Sequence, residues 1–531
     1  MCSFADHREL RRRFRSFSAY DPWRDPDGDG APQAPTTSEP HVLNVVRRRL
    51  LPLEQRLNPY AWLAALAVTF LAGVLRLYNL AKPPGKIFDE TYYATDAHWL
   101  WEKGFEWDEK NGTAGYVVHP PLGKWIIGLG EQVLGYNEAG WRLSAAVFGT
   151  ISVLMFTRIA MRMFGSVVLG CAAGLLMAFD GMHFVLSRTA LLDLFLMFFL
   201  LAAFGALVLD RDQRRLRWLR FVEGGGDPHG RGRDSRPAFA VPWWRLAAAA
   251  LLGCALAVKW SALAFLPVVV LLVIWWEVGA RRSAGVRHPI RDTILDEGLW
   301  ILACVPIVLG VYLASWSGWI LTDGGYYRDW SPNWFSSLVH YHQEALNFHE
   351  GLSSEHTYQS AGPWAPIQWL LLGRPVAFYW SGDPGCGVDQ CAAEVLLLGT
   401  PLLWWSFLPA LGATLWFGIA RRDWRAGAIL AMTAAALIPW FFFPNRTMFY
   451  FYAMPAEPFL ILAVVFVFGA IITSPPGLPQ DENRQLIGSI ALGAYVLLVV
   501  IMFAFFYPIY TGTSIPYVDW QHRMFLGNRW I

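Results

Sequence analysis

Thr189-Ala190-Leu191-Leu192-Asp193-Leu194-Phe195-Leu196-Met197-Phe198-Phe199-Leu200-Leu201-Ala202-Ala203-Phe204-Gly205-Ala206-Leu207-Val208-Leu209 carries a single charge along its whole length. A helix needs about 20 mainly apolar residues to cross a bilayer, so this stretch reads as a membrane span. About 11 such runs follow one another, near 59–80, 142–163, 166–183, 189–209, 243–259, 261–278, 298–320, 395–419, 426–443, 450–473 and 486–507. The pair 243–259 and 261–278 also reads as one broken hairpin. The 531-residue chain is 55% hydrophobic and 16% charged, where soluble proteins carry about 25% charged residues. Lys+Arg 43 against Asp+Glu 41 gives +2, which leaves no basic field for nucleic acid. Four of the six cysteines (Cys2, Cys171, Cys254, Cys304) fall in the N-terminal arm or in apolar runs, and that excludes a disulfide-built scaffold. The expectation is an all-α polytopic membrane protein.

Arginines set the orientation, because short cytoplasmic segments are enriched in Lys and Arg. The polar arm 1–57 has Arg11, Arg12, Arg13 and Arg15, then Arg47, Arg48 and Arg49 before the first run. It predicts a cytoplasmic, largely disordered N-terminus with no signal peptide. Alternate segments 210–241, 281–291 and 421–425 are rich in Arg, whereas 321–394 holds only Arg328 and Arg374. The chain thus divides into a transmembrane module 58–320 with a first outer loop 81–141, a large extracytoplasmic loop 321–394, helices 395–507 and an extracytoplasmic tail 508–531. Segment 210–241, with Gly224, Gly225 and Gly226, reads as a surface linker. The expected location is a multi-pass plasma-membrane protein.

Chemistry should gather on the outer side, where Trp, Tyr, His and carboxylates concentrate. The first outer loop opens Lys82-Pro83-Pro84-Gly85-Lys86-Ile87-Phe88-Asp89-Glu90. Adjacent carboxylates cannot face the same way on a helix or strand; one suits chemistry and the other a helix start, though both also suit plain capping of an amphipathic helix over 91–103. In Val118-His119-Pro120-Pro121-Leu122-Gly123-Lys124 the prolines present His119 and Lys124 on either side of a turn, or simply stiffen a helix entry. Arg76 and Arg142 stand at the outer ends of the first two spans, suited either to headgroup snorkelling or to holding a phosphate. Asp193, Arg188 and Lys259 are ionisable residues in or near apolar runs, candidates for function or for an Asp193–Arg188 or Asp193–Lys259 packing pair. His340, His342, His349 and His356 lie among Glu344, Glu350 and Glu355 without a metal-ligand spacing, so no metal is assigned. Cys386 and Cys391 have the spacing for a small outer disulfide.

The order of these features resembles the protein O-mannosyltransferases, multispanning glycosyltransferases of the GT-C class. The resemblance is carried by Arg76, Ile87-Phe88-Asp89-Glu90, His119-Pro120-Pro121-Leu122-Gly123-Lys124, Arg142-Leu143-Ser144, Arg188-Thr189-Ala190-Leu191-Leu192-Asp193, Val258-Lys259-Trp260 and Phe449-Tyr450-Phe451-Tyr452-Ala453-Met454-Pro455. It extends over roughly 59–531. Segment 321–394 is too short for the extra domain of eukaryotic members and is similar to the shorter, actinobacterial form. The resemblance implies a GT-C helical architecture with amphipathic helices in the first outer loop. It implies inverting transfer of mannose from polyprenyl-phosphate-mannose to Ser or Thr of exported, unfolded or translocating proteins, with membrane lipids and the secretion channel as further partners. It makes Asp89 the base and Glu90 an orienting group. Arg142 leads the cations on the donor phosphate, followed by Arg76, His119, Lys124 and Lys259. No cofactor is needed beyond the donor, and a divalent metal is neither required nor excluded. The alternatives are a lipid-phosphate sugar transferase acting on a lipid or cell-wall acceptor and, more remotely, a secondary transporter.

Overall fold

The computed structural model describes residues 41–53, 59–230, 235–360, 362–382, 385–473 and 479–531. Of the arm expected to be disordered, residues 1–40 lie outside that set, while His41–Leu50 form a helix whose Leu50 is buried against Trp218, Leu219, Ala280 and Ala284. The apolar runs become α1 (Ala61–Leu77), α4 (Glu138–Phe164), α5 (Val167–Ala178), α7 (Leu192–Glu223), α8 (Trp243–Val258), α9 (Phe265–Ala284), α10 (Pro289–Ser315), α12 (Pro401–Arg421), α13 (Trp424–Leu437), α14 (Glu457–Ile472) and α15 (Glu482–Thr511). Eight of the described helices are long and apolar enough to span a membrane, and α1, α5 and α8 are shorter apolar helices. Length by itself thus counts eight spans where the sequence predicts about 11. In α7 83% of the apolar window is buried, against 17% in α10, so the quoted stretch is the bundle's centre and α10 its periphery.

Between α1 and α4 lie two further helices, α2 (Glu90–Lys103) and α3 (Leu122–Leu134). α2 buries Glu90, Ala94, Ala97 and Leu100, residues of one helical face, and Gly104 ends it in the left-handed region at φ 83°. A short helix α6 (Gly181–Leu186) leads into α7, and α11 (Trp334–Gly351) lies in the large outer loop.

Two expectations need correction. The run from residue 395 does not begin a helix: β2 (Cys391–Leu397) is the middle strand of a three-stranded antiparallel sheet between β1 (Val376–Ser381) and β3 (Ile515–Pro516). All seven β2 residues are buried, and a short apolar run between turns suits a buried strand as well as a helix start. The helix begins only at Pro401, where the missing N–H costs nothing. Nor is 210–241 a linker throughout, since α7 continues to Glu223. Its Asp210 accepts from Arg245 at 2.8 Å, and Arg245 also reaches Glu277 at 2.8 Å and Glu297 at 2.6 Å. Four helices are thereby tied together at the end of the bundle remote from α2 and α3.

Candidate active site

The loop 78–90 is held from below by two arginines. Arg188 donates to the carbonyls of Arg76 at 2.8 Å, Tyr78 at 2.6 Å and Asn79 at 2.8 Å, capping the end of α1. Arg142 donates from Nε and Nη2 to both oxygens of Glu90 at 2.8 Å, and to the carbonyls of Pro83 at 2.8 Å and Gly85 at 2.9 Å. Glu90 in turn accepts from the backbone of Ile87 at 3.0 Å and Ala190 at 3.1 Å. Both side chains are fully buried, a bidentate pair stitching α2, α4 and the chain ahead of α7.

Phe88 precedes the acidic pair in the left-handed region, at φ 48°. For a bulky residue that conformation is strained and needs its surroundings to hold it; here the ring stacks on Phe378 of β1 with centroids 4.5 Å apart and meets Phe451 edge-on at 5.9 Å. The twist sends Asp89 away from Glu90. Asp89 occupies the N-cap position of α2 but makes no capping bond, and its half-buried carboxylate accepts no hydrogen bond from the described residues. Loss of solvation raises its pKa to about 6; Lys259 works against the rise and Asp193 adds to it.

Lys259 interrupts the apolar chain between α8 and α9 with an extended backbone, φ −149°, ψ 140°. Its Nζ donates to Asp193 Oδ2 at 2.8 Å, and Asp193 sits in the first turn of α7, where the helix dipole favours a carboxylate. Both line a cavity of about 690 Å³ together with His119, His349 and Arg446. Its other wall is apolar, including Leu263, Phe442 and Phe443, which are themselves exposed on the outer surface. Among the described residues the buried Nδ1 of His119 has no hydrogen-bond partner, and burial, then Lys259, push its pKa well below the usual histidine value. His349 donates from Nε2 to Val118 O at 3.1 Å and faces Arg446 with Nδ1 at 3.2 Å; burial and Arg446 lower its pKa to about 4. Both imidazoles are neutral, so the positive charge facing the cavity comes from Lys259 and Arg446, with Asp193 and Glu350 as the carboxylates of the same lining. The buried Nε–H of Arg446 has no hydrogen-bond partner among the described residues.

Of the sequence-derived candidates, Asp89, His119, Asp193 and Lys259 come together, and three cations do not join them. All five N–H groups of Arg142 are directed at Glu90 and the carbonyls of Leu80, Pro83 and Gly85. Arg76 is buried among the carbonyls of Ala72, Ala178 and Met177, with Nη2 2.8 Å from His183 Nδ1. Lys124 is buried against Glu106, with Asp96 at 3.9 Å. Each pairs internally because a buried cation requires a local partner. Arg188 caps α1, and Asp193 pairs with Lys259 instead. Arg446 is the residue the sequence reading missed: it lies in Asn445-Arg446-Thr447, which reads as a chance sequon, and only its solitary charge before Phe449-Tyr450-Phe451-Tyr452 marked it.

The outer histidines diverge. His342 donates from Nδ1 to Leu338 O at 2.7 Å and accepts from Tyr312 at 2.6 Å, while His340 stacks on Trp330 at 4.3 Å. Among the described residues no three His, Cys, Asp or Glu side chains form a metal-binding group. Cys386 and Cys391 are joined as a disulfide at the start of β2.

A bundle of apolar, membrane-length helices with a strained acidic loop and a cavity that joins charged and apolar walls defines a polytopic membrane-protein fold. The S. cerevisiae protein O-mannosyltransferase Pmt1-Pmt2 complex bound to the sugar donor shares it, with TM-score 0.69 at 14% identity over 90% of this chain and 93% of that one. Residues 66–225 match the family described as dolichyl-phosphate-mannose-protein mannosyltransferase, and 334–530 match the C-terminal four TMM region of protein-O-mannosyltransferase. Polyprenol-phosphate-mannose–protein mannosyltransferases of Mycolicibacterium smegmatis (strain MKD8) and Corynebacterium glutamicum are 38% and 32% identical over 88% and 89% of this chain and 92% and 94% of theirs. The chain belongs to the protein O-mannosyltransferase family.

Proposed function

We propose that this enzyme transfers mannose, with inversion, from polyprenyl-phosphate-mannose to Ser or Thr hydroxyls of exported proteins at the outer face of the plasma membrane. The observation that carries the mechanism is Asp89: a carboxylate with no hydrogen-bond partner among the described residues, raised to about 6, and close enough to feel the charges of Lys259 and Asp193, which line the cavity. At neutral pH it is ionised yet more basic than an ordinary carboxylate, as a general base for a hydroxyl should be. Glu90 is locked to Arg142 and Asp193 to Lys259, which leaves Asp89 as the unpaired carboxylate of the acidic loop. A retaining route needs a second carboxyl group placed as nucleophile, and the other carboxylate of the cavity lining, Glu350, is exposed at the end of α11.

The donor brings its own leaving group, a lipid phosphate. As the sugar carbon gains oxocarbenium character, Lys259 and Arg446 offset the charge growing on that phosphate, and His119 Nδ1 supplies a further polar contact. The apolar wall through Leu263 and Phe443 suits the start of the polyprenyl chain. With two cations in place, catalysis needs no divalent metal, and the acceptor arrives unfolded, delivered by the secretion channel.

Purified protein incubated with polyprenyl-phosphate-mannose and a Thr-rich peptide tests this reading. Wild type transfers mannose in the presence of EDTA, and Asp89→Asn loses a factor of roughly 10²–10⁴ in rate. Equal rates for both would remove Asp89 as the base. Transfer to a lipid or glycan acceptor in place of the peptide would redirect the acceptor assignment, and loss of activity with EDTA would overturn the metal-free mechanism.

A further inference from the structure

At the end of the bundle remote from Asp89, α9 closes with Arg281 and Arg282, and Gly285 turns the chain at φ 94° toward the start of α10 at Pro289. The turn encloses a recess of about 630 Å³. One wall carries Arg282, Arg287, His288 and Arg291, and the other Ile290, Ile294 and Leu295. No carboxylate lines it. Asp292 lies outside the lining, and Asp296 is engaged by Arg281 at 3.3 Å and by Arg236. Neighbouring Arg245 and Arg281 are taken up by Glu277 and Glu297, whereas among the described residues the four basic groups of the recess make no ion pair or hydrogen bond through their side chains.

The apolar wall continues along the helix. Leu295, Leu299 and Leu302 are 62%, 77% and 65% exposed and continue from Arg291 at four-, four- and three-residue steps, on one face of α10. An apolar strip of α10, itself peripheral, therefore runs from the basic recess into the depth of the membrane. We propose that the recess holds the headgroup of an anionic phospholipid of that leaflet, its phosphate among Arg282, Arg287 and Arg291 and its acyl chains along Leu295, Leu299 and Leu302. A soluble anion would use the arginines but has no use for the apolar wall. A basic pocket joined to a lipid-facing strip matches both parts of a phospholipid.

Native mass spectrometry of the full chain, released from mixed phosphatidylglycerol and phosphatidylcholine micelles, tests this. Wild type retains phosphatidylglycerol over phosphatidylcholine by roughly tenfold, and millimolar inorganic phosphate does not displace it. The triple variant Arg282→Gln, Arg287→Gln, Arg291→Gln brings the ratio close to one with an unchanged melting temperature. Should that variant unfold, single Arg287→Glu lowers the ratio on its own. The pair Arg421→Gln, Arg422→Gln, in another loop on the same side of the bundle, leaves the ratio intact. No lipid preference in wild type, an unchanged ratio in the recess variants, an equal loss in the Arg421, Arg422 pair, or displacement by phosphate would each overturn the proposal.

Discussion

A carboxylate removed from water and left without a hydrogen bond holds its proton more tightly, and at Asp89 this places the titration at about 6. The base must be ionised to act, so transfer falls as pH drops through about 6 and is level above it until another group titrates. A pH profile of kcat/KM measured with the peptide acceptor checks this; the acid limb should shift or vanish in Asp89→Glu and Asp89→Asn. Arg446 offers a cleaner probe of the donor phosphate than Lys259, whose removal would strand buried Asp193. Arg446→Gln should raise the donor KM roughly tenfold, in keeping with one lost hydrogen bond to a charged group, and change the acceptor KM little. An unchanged donor KM would place the phosphate elsewhere.

At the scale of elements, the loop carrying Asp89 is held by the Arg142–Glu90 pair and the Phe88 stack. Arg142→Ala leaves the Glu90 charge buried without its partner, which costs about 3–5 kcal/mol. Thermal unfolding in detergent should show a large drop for Arg142→Ala and almost none for Asp89→Asn, although both slow transfer. Equal melting temperatures would mean that Arg142 works on the substrate after all. The sequence reading ranked Arg142 first among phosphate ligands because its position at the end of a span fits that role. Whether an arginine is free or committed depends on carbonyls and a carboxylate more than 50 residues away, and no local pattern records that.

For the whole molecule, the two ends of the bundle differ in chemistry. Arginines tie α7, α8, α9 and α10 together at one end, and the acidic loop, histidines and aromatics close the other. A membrane-impermeant maleimide applied to intact cells should label Ser354→Cys and spare Gly226→Cys, and the reverse pattern would invert the assigned orientation. That the apolar runs build a helical, multi-pass membrane protein and that a helix starts at Glu90 was legible in the sequence, because hydropathy and capping are sums over neighbouring residues. Tertiary structure alone decided that residues 391–397 pair as a strand, that Arg142, Arg76 and Lys124 are consumed by internal partners, and that Arg446 reaches the cavity. A buried ion must be neutralised by whatever the fold brings within about 4 Å, and that partner is set by packing across the chain.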